Sequence, residues 1–117
     1  MLNIQPHHEL FIAIQPIDFR KGIDGIAALC RQQLQQDAKS GAVFLFRNKK
    51  ANAIKILVYD GQGFWLCQKR LSSGSFKAWP TSPHAALALT PEHLHVLVYN
   101  NDPQLIRQAP VWRSLPA

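Results

Sequence analysis

The chain predicts an α+β fold: an antiparallel β-meander of about four to five strands packed against one main α-helix, with a short C-terminal helix. Three observations predict it. Residues 53–60 alternate, with Ile54, Ile56 and Val58 to one side and Lys55, Leu57 and Tyr59 to the other, which is the period of a strand. Asp60-Gly61-Gln62-Gly63 is a turn signal, and it leads into a second strand pattern at 64–70. Ile23, Ile26, Ala27, Leu29, Cys30 and Leu34 recur at spacings of three and four, one face of a helix over about 20–36.

The elements follow in order. Residues 1–9 are polar and contain Pro6, His7 and His8, so they read as a loose arm. Residues 10–14 form an apolar strand stopped at Pro16. Asp18 is the expected cap of the main helix. Gly22 and Gly25 weaken its first turns by about 1 kcal/mol each relative to Ala, and close packing of the helix start on the sheet accounts for them. Lys39-Ser40-Gly41 is a turn, 42–46 a strand and 47–52 a basic loop. After the 64–70 strand comes a Ser/Gly loop, and then a short strand at 76–79 that ends at Pro80. Residues 81–90 give no clear assignment. Thr90-Pro91-Glu92 has the order of a helix start, with Thr as N-cap, Pro in the first position and an acid in the first turn. A helix over about 91–98 follows; a strand over 94–99 is the competing reading, because Val96, Val98 and Tyr99 are strand formers. Three prolines after Asp102 predict an irregular tail with one short helix at most.

A chain of 117 residues predicts one domain, 1–117, with a core at 10–80 and a C-terminal extension at 81–117. Hydrophobic residues make up 47% and charged residues 17%, which excludes a disordered chain. The longest uncharged run, 78–91, is broken by prolines and too short for a bilayer. The first basic residue is Arg20, so the start lacks a secretory pattern, and a cytoplasmic location without membrane contact is expected.

The net charge is +6, and its placement is uneven. Arg47, Lys49, Lys50, Lys55, Lys69, Arg70 and Lys77 lie between residues 47 and 79 with Asp60 as the sole acid there. A polyanion partner accounts for this segregation, as does a solubilising surface. Phosphates need cationic donors and exposed aromatics can stack on bases, so Arg47, Lys49, Lys50, Lys69, Arg70 and Lys77 are the candidate DNA-binding residues. Trp65, Phe64 and Phe76 are expected in the core rather than as stacking platforms.

Catalytic patterns are weaker. Asp18 and Asp24 suit a helix start, and Asp60 suits its turn. Cys30 and Cys67 lie in apolar surroundings, far from any zinc-ligand spacing, and read as buried thiols. No phosphate-cradling glycine loop is present, and no serine or cysteine has an identifiable base. His93-Leu94-His95 matches a His-hydrophobic-His triplet, which on a strand would aim two imidazoles to one side as in single-strand nucleases with a tyrosine nucleophile; Tyr59 and Tyr99 are the available tyrosines. This nuclease is a distant alternative. The main expectation is a non-enzyme with no metal and no cofactor.

Residues 15–25, Gln15-Pro16-Ile17-Asp18-Phe19-Arg20-Lys21-Gly22-Ile23-Asp24-Gly25, resemble the Pro-x-Asp-(Met/Phe)-Arg-Lys-Gly-x-x-Gly opening of a transposon protein family. The stretches 41–50, 54–61, 63–71 and 74–80 continue the likeness in order, and Leu89-Thr90-Pro91-Glu92-His93-Leu94 is similar to the family's later helix. The family is the small accessory protein TnpB, from the second open reading frame of the IS-sixty-six group of bacterial insertion sequences, unrelated to the RNA-guided nuclease of the same name. The resemblance implies a protein that accompanies a separate, larger acidic-triad transposase and has no assigned active site. Two functions follow as expectations. One is a non-catalytic accessory factor that binds DNA at the element ends. The other is an adaptor that docks on the transposase without touching DNA, through Asp18, Arg20, Lys21 and a sheet edge.

Overall fold

The computed structural model describes residues 8–99. Of the expected N-terminal arm, residues 1–7 lie outside the described residues, as does the tail beyond Tyr99. The elements run β1 (Leu10–Ala13), α1 (Ile23–Gln32), β2 (Val43–Arg47), β3 (Ala53–Tyr59), β4 (Phe64–Arg70), β5 (Ala86–Leu89) and α2 (Pro91–Val98). The strands form one five-stranded sheet in the order β4-β3-β2-β1-β5, an α+β fold.

The meander is β2-β3-β4, antiparallel throughout, with Leu45 opposite Ile56 and Ile56 opposite Cys67. The sheet as a whole is mixed rather than antiparallel. β1 lies parallel to β2, with Phe11 beside Phe44. A chain that leaves one strand through a helix returns in the same direction, which is the reason for the parallel pair. The fifth strand is also displaced from its expected place. Residues 76–79 are not a strand; Phe76 and Trp79 are buried, and the Trp79 indole N–H donates to the Ala13 carbonyl at 2.9 Å. Instead the unassigned stretch supplies β5, which pairs antiparallel with β1 from Leu10–Leu89 to Ala13–Ala86.

α1 is shorter than its periodicity predicts. It starts after Gly22, which caps it with no side-chain hydrogen bond, and past its end the chain turns through Gln35 at φ 55°. Asp18 does not cap it: the carboxylate bonds the Arg20 amide and guanidinium instead. Gly22 has open space where a Cβ would stand, and Gly25 would meet only the Lys21 side chain, so neither glycine is demanded by packing on the sheet. α2 resolves the strand-or-helix choice in favour of helix. The Thr90 hydroxyl accepts from the His93 amide at 3.1 Å, and Pro91 opens the first turn.

Both faces of the sheet are covered. Phe44, Phe46 and Leu57 pack under Ile26, Leu29 and Cys30 of α1. On the other face Val43, Leu45, Ile54 and Val58 pack with Phe76, Trp79, Leu94 and Leu97. Two-sided burial explains why β2 reads as an unbroken Val-Phe-Leu-Phe run. β4 is an edge, and none of its residues is fully buried. Trp65 accordingly stands 44% exposed rather than in the core, and Cys67 is half-buried while Cys30 is fully buried.

One charged side chain lies in this interior. Lys55 is 6% exposed on the α1 face. Its ammonium donates to the carbonyls of Phe19 at 2.9 Å and Lys21 at 3.1 Å, and it sits 4.9 Å from the Phe19 ring centre. The buried charge is thereby compensated, and the segment before α1 is fastened to β3. Replacing Lys55 by Met keeps the stem and strands both carbonyls. Chemical denaturation of Lys55→Met is expected to show a stability loss of about 2 kcal/mol.

Candidate nucleic-acid interface

The β2–β3 loop is ordered by its own amides. The Asn48 side-chain oxygen accepts from the backbone N–H of Asn52 at 3.0 Å and of Ala53 at 3.1 Å, and its NH₂ donates to the Asn52 side chain at 2.6 Å. Ala51 takes φ 58°, a left-handed conformation that closes the loop. Two further backbone bonds brace it from outside: Leu71 donates to the Asn52 carbonyl at 2.9 Å, and Phe76 donates to the Ala51 carbonyl. Lys49 and Lys50 are thus presented, exposed, from a fixed turn.

The segment clamped by Lys55 runs beside this loop. The Ile17 amide donates to the Arg47 carbonyl at 2.9 Å, and Ile17 bridges Asn48 in parallel fashion. Asp18, Phe19 and Arg20 follow directly. Together with Gln68 and Arg70 at the end of β4, they and the loop form an open groove of about 440 Å³. Arg20, Lys49, Lys50 and Arg70 line it against a single acid, Asp18. Asp18 accepts from Arg20 through both oxygens, the shortest contact being 2.7 Å. Those side-chain and backbone bonds from Arg20, with a smaller attraction from Lys49, hold its carboxyl well below the usual carboxylate range. The Arg20 side chain remains 92% exposed, so its outer face stays open to solvent.

The groove gathers some expected residues and leaves others out. Lys49, Lys50 and Arg70 line it, and so do Asp18 and Arg20. Lys21 is exposed outside the lining, and only its carbonyl is engaged, by Lys55. Lys77 is exposed and follows Phe76, whose amide reaches the Ala51 carbonyl, so it belongs to the same end of the sheet. Arg47 and Lys69 are on the opposite face. The Arg47 guanidinium lies 5.0 Å from the Trp79 ring centre, its Nε is buried without a partner, and burial lowers its proton affinity. Lys69 donates to the Val98 carbonyl at 2.7 Å and lies 5.0 Å from the Tyr99 ring centre, tying α2 to β4. Both are structural in this arrangement. The three amide side chains of the groove, Asn48, Asn52 and Gln68, were not foreseen; an Asn at each end of the basic loop was the available signal.

The nuclease geometry does not form. His93 and His95 stand two apart on a helix, where such positions diverge by about 200°. His93 lines a groove against β5, while His95 stacks on Tyr99 with ring centres 5.3 Å apart. Burial pushes the Cys30 thiol up to about 12, so it is held as an inert thiol. Among the described residues no three His, Cys, Asp or Glu side chains cluster as metal ligands, and no helix is long and apolar enough to cross a membrane.

A family model described as IS66 Orf2 like protein, TnpB_IS66, matches residues 8–108. The chain belongs to this family. The match takes in every strand, both helices and the whole groove. Two relatives come from Sinorhizobium fredii (strain NBRC 101917 / NGR234). The uncharacterized protein y4jC is 36% identical over 104 residues, covering 89% of this chain and 88% of its own length. The uncharacterized protein y4hO is 32% identical over 102 residues, covering 87% and 88%. No solved structure matches the chain significantly. IS66 Orf2-like proteins are insertion-sequence accessory proteins, which puts this chain in the setting of transposition.

Asn48 is the residue on which the groove's loop depends. Asn48→Ala removes the acceptor of two backbone amides, and thermal or urea unfolding is expected to show a loss of about 1–2 kcal/mol.

Proposed function

We propose that this accessory protein holds DNA during transposition, with the phosphate backbone in the groove of Arg20, Lys49, Lys50 and Arg70. The observation that carries the reading is the convergence of four cations, from three separate segments, on one open concave surface with a single acid. Guanidinium and ammonium groups bind phosphate by charge-assisted hydrogen bonds, and the Asn48, Asn52 and Gln68 amides add neutral donors. Positional readout of bases is no part of this proposal: the groove supplies backbone contacts, which favour nucleic acid over small anions by their number. Lys77 extends the cationic surface from the same end of the sheet. Arg47 and Lys69, engaged on the other face, are left out of the contact. The element's transposase is the second partner of the proposal. The mixed charge of the Asp18–Arg20 pair, with Arg20 92% exposed, favours a protein contact there as well. The cytoplasm is the compartment in which both partners would be met.

The measurement is fluorescence anisotropy with duplexes carrying element ends or random sequence, repeated over a salt series. Four neutralised phosphates give a slope of about −3.6 in log affinity against log salt. The triple variant Lys49→Glu, Lys50→Glu, Arg70→Glu is expected to lose binding and keep its circular dichroism spectrum, whereas Lys69→Gln keeps the wild-type salt slope. Unchanged affinity in the triple variant overturns the DNA reading. Co-purification with the transposase from nuclease-treated extract, lost on Arg20→Glu, is the result expected of the adaptor reading; no complex there counts against it.

Asp18 provides a test of opposite sign. Asp18→Asn keeps an oxygen for the Arg20 amide and removes the one negative charge in the groove. DNA affinity at low salt is expected to rise about three- to tenfold, with the gain fading as salt increases.

A further inference from the structure

β4 ends the sheet, and among the described residues nothing pairs with its outer edge. Two backbone bonds set the phase of its hydrogen bonding. Asp60 donates to the Gly63 carbonyl at 3.0 Å at one end of the β3–β4 hairpin, and Leu71 donates to the Asn52 carbonyl at 2.9 Å at the other. Alternation between them makes Val58–Trp65, Ile56–Cys67 and Ile54–Lys69 the hydrogen-bonded pairs. Phe64, Leu66, Gln68 and Arg70 therefore turn their N–H and C=O groups outward, an uninterrupted edge of seven residues without proline or bulge.

We propose that this edge pairs with the same edge of a second copy of the chain, antiparallel and centred on Cys67. In that register Phe64 faces Arg70 of the second copy, Trp65 faces Lys69, Leu66 faces Gln68 and Cys67 faces Cys67. Every outward-turned residue meets another outward-turned residue, so no edge donor is wasted. The side chains select the same register. Aromatics occupy the first two positions of β4 and cations the last two, so antiparallel pairing sets each ring of one copy beside the long apolar stem of a cationic side chain of the other. Sliding by four residues toward the C-terminal end would set Lys69 against Lys69. The exposed Trp65, 44% accessible, gains cover that the isolated sheet does not give it. Lysine on an edge strand ordinarily deters pairing, but Lys69 is turned onto the α2 face and held there by the Val98 carbonyl. A two-fold pair closes on itself, whereas pairing β4 with the four-residue β5 of another copy would leave further edges open.

The test needs no DNA. Sedimentation over a concentration series is expected to show a reversible species of twice the 13.2 kDa chain mass. Trp65→Lys, which puts two ammonium groups opposite each other at each end, is expected to raise the dissociation constant about tenfold or more. Gln68→Pro, which removes an outward N–H at an exposed edge position, is expected to do the same. A paired position without mutual hydrogen bonds brings Cα atoms to about 4.5 Å, within reach of a disulfide. Mild copper–phenanthroline oxidation is therefore expected to link the chains through Cys67, and Cys67→Ser, but not Cys30→Ser, abolishes the link. A monomer at every concentration overturns the proposal. So does a dimer that Trp65→Lys leaves intact, or one that oxidation cannot join at Cys67. Should Gln68→Pro fail to fold, Trp65→Lys and the cross-link decide between these outcomes.

Discussion

The buried ammonium of Lys55 is the contact on which the arrangement of this molecule rests. The six residues between Ile17 and Gly22 form neither strand nor helix, and a connection of that kind has few backbone partners of its own. Two of its carbonyls point at the Lys55 Nζ, and the Phe19 ring lies against the same charge. The ammonium does for this segment what a neighbouring strand would do, at the place where the sheet's own ladder has run out. Desolvating one charge is tolerable because two carbonyl dipoles and an aromatic face replace its water. Asp18 and Arg20 are carried between that contact and the Ile17 amide, which donates to the Arg47 carbonyl.

A second constraint is the coverage of both faces. With α1 on one side and α2 with the 76–79 segment on the other, the central strands have no solvent face on which to carry charge. Cations of the sheet are confined to strand ends, connecting loops and the edge strand, or else must find partners inside. Lys55 takes the internal solution, and Arg47 and Lys69 take intermediate ones against aromatic rings and a helix-end carbonyl. Lys49, Lys50 and Arg70 keep water as their partner because they sit where β2, β3 and β4 end. The segregated positive charge of the sequence is therefore partly architectural and partly surface, and only the surface part is available to a polyanion.

That division was half legible beforehand. Period-two alternation, the Asp60-Gly61 turn and the Thr90-Pro91 cap are local signals, and each marks an element that forms. The parallel placement of β1 is not local: it depends on where α1 returns the chain. Residues 76–79 satisfy strand propensity, yet the indole N–H of Trp79 finds the Ala13 carbonyl across the fold, and burial of two large rings outweighs a ladder. Lys69 and Arg70 are both candidate phosphate donors in the sequence, yet adjacent residues on a strand face opposite ways and the fold separates them. The convergence of Asp18 and Arg20 with Arg70 was beyond reach of pattern reading, since it runs through long-range contacts of Lys55 and Ile17 and not through sequence spacing.

The groove and the β4 edge meet at Arg70, which closes the one and ends the other. A two-fold pair about Cys67 would keep the α1 faces of both sheets on the same side, because antiparallel partners in one sheet share their faces. The two grooves would then open in the same direction, their Arg70 residues six strand positions apart, or about 20 Å. A rigid loop on a rigid strand makes that separation a fixed length rather than an average, which lowers the ordering cost of holding an extended polyanion at two points. Arg70 thus connects the electrostatics of the groove with the geometry of the edge: the residue that closes the cationic groove is also the one that would meet the phenyl ring of Phe64 across the pair.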